Sequence, residues 1–306
     1  MDIASLFSLQ GRTALVTGGS RGIGRMIAEG FLGAGAARVY ITARKVAEVE
    51  ATAAELGERC IALPGDIATM AGIEALVAEV SAREESLDIL VNNAGVAWGA
   101  PFDILPEDGW DKVMDLNVKT PFYLTQKLAP LLRKAASAAQ PAKVIMIASV
   151  DGIRLNPWET YPYQASKAAL IHLTRRMAAR LASEHIAVTG IAPGMFASKM
   201  NRAADHAPNK VAKQIPIGRV GADEDMAAAA IYLASRAGDY VVGETITVDG
   251  GWVNAWLPGD FVGPGGEQPT PSTRAQTRSA RSAAAAASAP PPESAPPWRN
   301  THRCHR

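Results

Sequence analysis

Seven short apolar runs alternate with helical patterns between residues 12 and 255, and this alternation limits the chain to few architectures. The runs are RTALVT, ARVYITA, CIALPGD, LDILVNNAG, AKVIMIAS, IAVTGIAPG and ETITVDGG. Short, nearly continuous apolar runs separated by helices are typical of parallel strands that helices cover on both faces. Because crossovers between such strands are right-handed, we predict an α/β fold with a doubly wound parallel sheet of about seven strands and helices on both faces.

The end of the chain has a different composition. Residues 262–306 are rich in Pro, Ala, Ser, Gly and Arg, and they include an alanine run at 283–287 and a proline run at 290–292. A segment with so few large apolar residues cannot bury enough surface to offset its chain entropy. We therefore predict a single folded domain over residues 1–258 and a disordered tail over residues 259–306.

Charge, hydropathy and cysteine content exclude several classes of partner. The formal net charge is +1, which gives no reason to expect binding to nucleic acid or to an anionic membrane. No apolar run approaches the roughly 18 residues of a membrane span. The two cysteines, Cys60 and Cys304, lie far apart and one is in the tail, so a structural disulfide is not expected. We predict a soluble cytoplasmic protein and assign no metal site.

The segment TGGSRGIG follows the first apolar run and opens the first helical pattern. Gly18, Gly22 and Gly24 lack a Cβ atom, so they permit a tight turn and close approach of the backbone to a pyrophosphate at the helix N-terminus. Their spacing differs from the common G-x-G-x-x-G, and a glycine-rich turn without a ligand is the alternative. The position between a strand and a helix favours a dinucleotide site and a single-domain Rossmann-type fold.

The end of the second apolar run indicates which dinucleotide binds. Proteins that bind NAD commonly have Asp or Glu at this point to accept from the ribose 2′-hydroxyl. Here the segment is YITARK, which places Arg44 there with no acid beside it, and Arg21 in the glycine loop is a second cation. Two guanidinium groups suit a 2′-phosphate, so we predict NADP. The alternative is that both arginines are solvated surface charges.

The segment YPYQASK contains two tyrosines before a lysine. On a helix, residues four apart share a face, whereas residues six apart point in clearly different directions. Tyr163 stands four residues before Lys167 and can contact it, while Tyr161 stands six before it and is given no catalytic role. A Tyr–Lys pair at this spacing is by itself common on protein surfaces, so its meaning depends on the other motifs.

The motifs TGGSRGIG, NNAG (92–95), LNV with Asn117, Ser149, YQASK and APG (192–194) occur in this order over about 240 residues. In this respect the chain resembles the single-domain form of the short-chain dehydrogenase/reductase family. Within that family it is similar to NADPH-dependent 3-oxoacyl-thioester reductases of the rhamnolipid-pathway type, and GWDKVMDLNV and LLRKAASAAQPAKVI carry this closer likeness.

The resemblance implies that Ser149, Tyr163, Lys167 and Asn117 are catalytic. Reduction of a ketone builds negative charge on the carbonyl oxygen, so an acid must supply a proton. The unperturbed pKa of tyrosine is near 10, and we expect the Lys167 ammonium to lower the pKa of Tyr163. Ser149 is expected to donate to the same oxygen, unless it is an ordinary strand-end serine. By resemblance, Asn117 bends its helix around a proton-relaying water, or else it only caps or bends the helix.

The resemblance also implies a larger set of cofactor contacts. Asp66 is expected on the adenine side, residues 92–95 beside the adenosine ribose, and Pro193 near the nicotinamide, while Ser198 replaces a threonine that is usual in the family. The predicted cofactor-binding residues are Gly18, Ser20, Arg21, Gly22, Ile23, Gly24, Arg44, Asp66, Ile67, Asn93, Ala94, Gly95, Asn117, Tyr163, Lys167, Pro193, Gly194 and Ser198.

Two segments near these motifs bear on the substrate. The interval from Ser149 to Tyr163 is 14 residues where many relatives have 13, and the longer loop carries Trp158, so a relative's substrate cannot simply be transferred. Residues 195–215 are polar, helical in pattern and expected to be poorly anchored. In relatives this region closes over the substrate, so we predict a lid. An ordinary surface helix is the alternative.

Together these features predict NADPH-dependent reduction of a ketone to a secondary alcohol. The expected substrate is a small-molecule carbonyl compound, most simply a 3-oxoacyl thioester or a polyketide-like compound. Another ketone or alcohol, such as a cyclic or steroid-like one, is the enzymatic alternative, and a cofactor-binding protein without activity is the other. By resemblance, the chain is expected to form a homodimer or homotetramer through its fourth and fifth helices and its final strand.

Overall fold

The computed structural model describes residues 2–198 and 201–255, except for the side chains of residues 202 and 203. The compact unit that contains these residues is Met1–Ala255. The predicted domain end at residue 258, the predicted tail at 259–306 and Cys304 all lie outside the described residues, so they stay predictions. None of the described helices is long and apolar enough to cross a membrane.

The described residues form a parallel sheet of seven strands, in the order β3-β2-β1-β4-β5-β6-β7. The strands are β1 (Thr13–Thr17), β2 (Arg38–Thr42), β3 (Cys60–Ala62), β4 (Ile89–Asn92), β5 (Ala142–Ile147), β6 (Ile186–Pro193) and β7 (Thr245–Val248). Each of the seven apolar runs in the sequence supplies one strand. The predicted doubly wound sheet is therefore confirmed.

Helices cover both faces of this sheet. The α-helices of the described residues are α1 (Ile3–Leu6), α2 (Gly22–Gly33), α3 (Val46–Leu56), α4 (Met70–Arg83), α5 (Glu107–Met114), α6 (Thr120–Ala135), α7 (Tyr161–Leu181), α8 (Arg202–His206), α9 (Pro208–Ala212) and α10 (Asp223–Ala234). A five-residue π-helical segment, Asp115–Lys119, joins α5 to α6.

Two apolar layers, one on each face, hold the helices to the sheet. On one face Phe31 of α2 and Met226 of α10 pack with Val16 of β1. On the other face Leu128 of α6 packs with Leu15, the neighbour of Val16 in the same strand. Because adjacent residues of a strand point to opposite faces, both must be apolar when both faces are covered. This explains why the strand sequences are nearly continuous apolar runs instead of alternating ones.

The strand order changes direction at β1. The chain passes from β1 outward through β2 and β3, and then returns to place β4 on the other side of β1. In open α/β sheets this switch leaves a crevice at the carboxyl ends of the two strands, and ligands bind there. The glycine loop follows β1, and the NNAG motif follows β4. The fold therefore brings these two distant sequence motifs to one edge of the sheet.

Candidate active site

The glycine loop makes a tight turn from β1 into α2. Gly18 and Gly22 have φ values of +67° and +53°, which glycine adopts without strain. A Cβ on Gly24 would lie 2.3 Å from the carbonyl oxygen of Gly18 and 2.5 Å from Nδ2 of Asn93, so no side chain fits there. No described side chain caps the N-terminus of α2. Its first N–H groups are thus available to an anionic ligand, and the loop fits a pyrophosphate.

A cavity of about 520 Å³ extends from this loop along the carboxyl ends of the strands to α7. Its volume lies in the range of small-molecule sites. The predicted cofactor residues that line it are Gly18, Ser20, Arg21, Gly22, Ile23, Gly24, Arg44, Asp66, Ile67, Asn93, Ala94, Gly95, Tyr163, Lys167 and Ser198. Asn117, Pro193 and Gly194 are not part of its wall. Gly194 packs instead against Asp249, since a Cβ there would lie 2.7 Å from Cα of that residue.

The end of the cavity near Arg44 carries an acid that sequence reasoning missed. Glu48 lies in the first turn of α3 and lines the cavity together with Arg21, Arg44 and Lys45. Its carboxylate is 3.2 Å from Nη1 of Arg21 and 3.3 Å from Nζ of Lys45. No acid stands next to Arg44 in sequence, as predicted. The helix that begins at Val46 nevertheless turns Glu48 toward the same space, and its spacing of three from Lys45, with which it pairs, was the available signal.

Lys167 lies one turn after Tyr163 on α7, as the sequence spacing predicts. Its Nζ is buried, donates a hydrogen bond to the carbonyl oxygen of Ile147 (2.8 Å) and lies 5.6 Å from the centre of the Tyr163 ring. Burial lowers the pKa of Lys167 from 10.5 to about 8, while the negative charge of Asp151 acts in the opposite direction. A large part of the lysine population is therefore still charged at neutral pH.

Tyr163 differs from the sequence prediction in its acidity. Burial raises the pKa of its phenol from 10 to about 12; the Ser149 hydroxyl that faces the phenol lowers the pKa, and the charge of Asp151 raises it further. The expected lowering by Lys167 is therefore wrong for this structure. Desolvation of the phenolate is the larger effect, and the ammonium of Lys167 is directed to Ile147. The phenol is protonated at neutral pH.

Tyr161 points away from this group. Its side chain is partly exposed, its hydroxyl donates to Oε1 of Glu159 (2.8 Å), and its ring makes an edge contact with Phe102 at 5.7 Å. The spacing of six residues from Lys167 thus has the predicted consequence, because only Tyr163 faces the lysine.

Ser149 lies two residues after the end of β5, and a backbone N–H group orients its hydroxyl. Its Oγ accepts a hydrogen bond from the backbone N–H of Asp151 (3.1 Å), so its own O–H is left to donate, either to the phenol oxygen of Tyr163 or to a ligand. The turn Val150–Gly152 packs directly on α7, since a Cβ on Gly152 would lie 2.6 Å from the carbonyl carbon of Lys167. The structure therefore brings Ser149, Tyr163 and Lys167 together.

Asp151 is a second acid that sequence reasoning missed. Burial raises the pKa of its carboxyl, while the side-chain amide of Asn156 and the charge of Lys167 lower it. In the sequence, only its position two residues after Ser149 indicated that it could lie near the catalytic group. Its charge raises the pKa of both Tyr163 and Lys167.

Asn117 lies in the π-helical segment between α5 and α6, and its side chain is buried. Its Nδ2 donates to the carbonyl oxygen of Val96 (2.9 Å) and to Oγ of Ser166 (3.0 Å), and its Oδ1 accepts from the N–H of Val96 (2.9 Å). A Cβ on Gly95 would lie 3.2 Å from Oδ1 of Asn117 and 3.6 Å from Nζ of Lys167, so both groups approach one point. The helix is distorted at Asn117; the water relay stays a prediction.

The predicted lid at residues 195–215 contains α8 and α9, and residues 199 and 200 within it lie outside the described residues. The expectation that it is poorly anchored is wrong for its ends. Phe196, Val211 and Ile215 are buried, and the Phe196 ring occupies the space beside Gly221, where a Cβ would lie 2.4 Å from it. Because the segment is largely polar, its sequence did not indicate that these apolar side chains are buried. The lid role itself stays a prediction.

Comparison with known proteins gives consistent results. A family model described as enoyl-(acyl carrier protein) reductase matches residues 18–253. A rhamnolipids biosynthesis 3-oxoacyl-[acyl-carrier-protein] reductase of Pseudomonas aeruginosa is 49% identical over 251 residues, which cover 80% of this chain and 98% of that protein.

The chain is also similar to solved structures, including these two. The Pseudomonas aeruginosa RhlG/NADP active-site complex has a TM-score of 0.78 and 49% identity, covering 81% of this chain and 98% of that one. A gluconate 5-dehydrogenase from Burkholderia cenocepacia, in complex with NADP and tartrate, has a TM-score of 0.76 and 36% identity, covering 83% of this chain and 100% of that one. The similarity thus extends to proteins named for acyl and for sugar-acid substrates.

Proposed function

We propose that this chain, which belongs to the short-chain dehydrogenase/reductase family, uses NADPH to reduce the ketone of a 3-oxoacyl thioester to a secondary alcohol. One observation carries the proposal: Tyr163 and Lys167 line the same cavity of about 520 Å³ as Arg21 and Arg44, and the Ser149 hydroxyl faces the Tyr163 phenol. The similarity to the Pseudomonas reductase supports the same reaction.

The residues along the cavity fit NADPH. The glycine loop and the uncapped N-terminus of α2 would hold its pyrophosphate, and Arg21 and Arg44 would hold its 2′-phosphate. Lys167, whose Nζ has N–H groups beyond the one bonded to Ile147, would hold the hydroxyls of the nicotinamide ribose. When bound, NADPH supplies the hydride. Both solved structures reported above are described as NADP complexes.

In this proposal, Tyr163 is the proton donor. Negative charge builds on the substrate oxygen as the ketone is reduced, and a protonated phenol with a pKa of about 12 can give its proton to that more basic oxygen. Ser149 donates a second hydrogen bond to the same oxygen, because its Oγ already accepts the N–H of Asp151. Lys167 holds positive charge nearby, and general acid catalysis of this kind contributes typically about 10²–10⁴-fold.

Exposed apolar side chains in and near the loop that leads into α7 support an acyl substrate over a sugar acid. Leu155 and Trp158 lie in the loop before α7 and are 84% and 70% exposed, and Phe102 is 74% exposed. Glu159 connects these segments, since its carboxylate accepts from the N–H of Phe102 (3.1 Å) and from the hydroxyl of Tyr161. An apolar surface of this kind would bind an alkyl chain and offers little to a sugar acid.

A substrate panel tests the proposal. NADPH oxidation is measured with 3-oxoacyl thioesters of increasing chain length and, for comparison, with a keto-sugar acid. We expect kcat/KM to rise with chain length and to exceed the value for the sugar acid. Trp158→Ala should reduce the chain-length dependence, whereas Tyr232→Ala, a change to a similarly large and partly exposed aromatic residue on α10, should not. Higher kcat/KM with the sugar acid would refute the acyl assignment.

We also propose that the chain acts as a homodimer or homotetramer. The strand β7 is at the edge of the sheet and only half-buried, and Tyr240 just before it is fully exposed. Trp110 on α5 and Phe122 on α6 are partly exposed as well. A second copy would cover these apolar surfaces. Light scattering should give a mass at least twice that of the chain, and a monomeric mass at micromolar concentration would contradict this.

We propose a cytoplasmic location. Cys60 is buried and free, and burial raises the pKa of its thiol to about 11, so it is unreactive and suits a reducing compartment. Cell fractionation tests this, and recovery in a membrane or extracellular fraction would contradict it.

A further inference from the structure

We propose that Glu48 is a specificity-determining residue for the cofactor: its carboxylate is the counter-ion that Arg21 and Lys45 exchange for the 2′-phosphate of NADPH. The proposal rests on the NADPH dependence proposed above and concerns the same site. Cations alone would bind a dianionic phosphate more tightly than cations beside an acid. The proposal gives the acid in this part of the cavity a role in the choice between the two cofactors.

The geometry makes Glu48 the centre of the charged group. Its Oε2 is 3.2 Å from Nη1 of Arg21, and its Oε1 is 3.3 Å from Nζ of Lys45. Arg21 is the residue before the first turn of α2, and Glu48 lies in the first turn of α3, so the pair connects the two helices at the rim of the cavity. All three side chains line the cavity together with Arg44.

Exposure indicates that these ion pairs are easily exchanged. The side chain of Arg21 is 51% exposed, that of Lys45 70% and that of Glu48 30%. Exposed pairs of this kind contribute little net stability, so separating them costs little. A phosphate offers the guanidinium paired acceptors and a higher charge than a carboxylate.

The same carboxylate acts differently on the two cofactors. A phosphate held by Arg21 lies close to Glu48, and repulsion between the two anions weakens NADPH binding. The 2′-hydroxyl of NADH is neutral, and a carboxylate can accept its hydrogen bond. Glu48 therefore reduces the preference for NADPH, and Glu48→Gln, which keeps the shape and removes the charge, should increase it.

A second ion pair between the same helices supplies the control. Nη1 of Arg25 is 2.7 Å from Oε2 of Glu55, one turn further along α2 and two turns further along α3, and neither residue lines the cavity. Glu55→Gln therefore removes an equivalent helix-to-helix pair without changing the charge at the site.

The test is direct binding, without turnover. NADPH, NADH and 2′-AMP are titrated against the full chain and the two variants by tryptophan-to-nicotinamide energy transfer, with 2′-AMP measured as a competitor of NADPH. We expect Glu48→Gln to bind NADPH and 2′-AMP about 3- to 10-fold more tightly, to bind NADH no more tightly, and Glu55→Gln to match the unchanged protein.

Several outcomes would overturn the proposal. Weaker NADPH binding by Glu48→Gln would mean that the carboxylate orders the arginine for phosphate, and unchanged binding would mean that it has no part in selection. Equal tightening for NADPH and NADH would show a general charge effect. If the unchanged protein binds NADH as tightly as NADPH, the NADPH assignment itself is wrong, which separates the two failures.

Discussion

Replacement of Lys167 by methionine should change the pH dependence of stability in a way that can be worked out from the structure. The lysine is buried, and its pKa is about 8 in the folded protein against 10.5 for an unperturbed lysine. A lysine whose folded pKa is depressed costs stability below that pKa, because the unfolded chain binds the proton more tightly. The cost falls as pH rises from about 8 to 10.5 and is absent above that range.

The magnitude follows from the two pKa values. At pH 7 the buried ammonium costs on the order of 3 kcal/mol of unfolding free energy, and at pH 9.5 it costs about 1.4 kcal/mol. Lys167→Met also removes the hydrogen bond to Ile147, and the two pKa values already contain the pH-dependent part of that loss. The unfolding free energy of the unchanged protein should therefore rise by about 2 kcal/mol relative to the variant between pH 7 and pH 9.5.

Urea denaturation followed by circular dichroism at both pH values, at one fixed protein concentration, measures this difference. Lys134→Met is the control, because Lys134 is exposed on α6. Its stability relative to the unchanged protein should be the same at both pH values. A Lys167→Met difference that does not change with pH would refute the depressed pKa, and with it the conclusion that burial dominates the electrostatics of this site.

Three further changes test other parts of the site. Asp151→Asn removes a charge that raises the pKa of Lys167 and of the catalytic phenol, so the pH profile of kcat should move to lower pH, and an unmoved profile would contradict this. Gly24→Ala places a Cβ 2.3 Å from the carbonyl oxygen of Gly18, so NADPH binding measured by fluorescence should weaken by about tenfold or more. Asn117→Ala leaves buried polar groups unpaired and should lower the unfolding free energy by about 2–4 kcal/mol in urea titrations, whereas a loss below about 1 kcal/mol would mean that water replaces the amide.

The sequence predicted the sheet well because its strands are buried on both faces. Leu15 and Val16 point to opposite apolar layers, so the run that contains them could hardly be polar at either position. Strand ends were less certain. The run CIALPGD gives only the three-residue strand Cys60–Ala62, although the N–H groups of Leu63 and Gly65 beyond it still donate to the carbonyl oxygens of Ile41 and Ala43.

The site was predictable where its residues lie on one element and less so where it depends on packing between elements. Tyr163 and Lys167 share α7, so their spacing alone brings them together. Arg21 and Glu48 are 27 residues apart and meet only because α2 and α3 begin at the same rim. The acidity of Tyr163 was predicted with the wrong sign, because burial cannot be seen in the spacing of Tyr and Lys.

The central claim is that Tyr163 is the proton donor in a ketone reduction. The measurement that tests it most directly is NADPH oxidation with a 3-oxoacyl thioester, comparing Tyr163→Phe with Tyr161→Phe. Both changes remove one hydroxyl from the same helix, but only Tyr163 faces Ser149 and Lys167. We expect Tyr163→Phe to lose about 10²–10⁴-fold in kcat while still binding NADPH, and Tyr161→Phe to keep most of its activity. Turnover that persists in Tyr163→Phe, or that is lost in Tyr161→Phe instead, would contradict the mechanism.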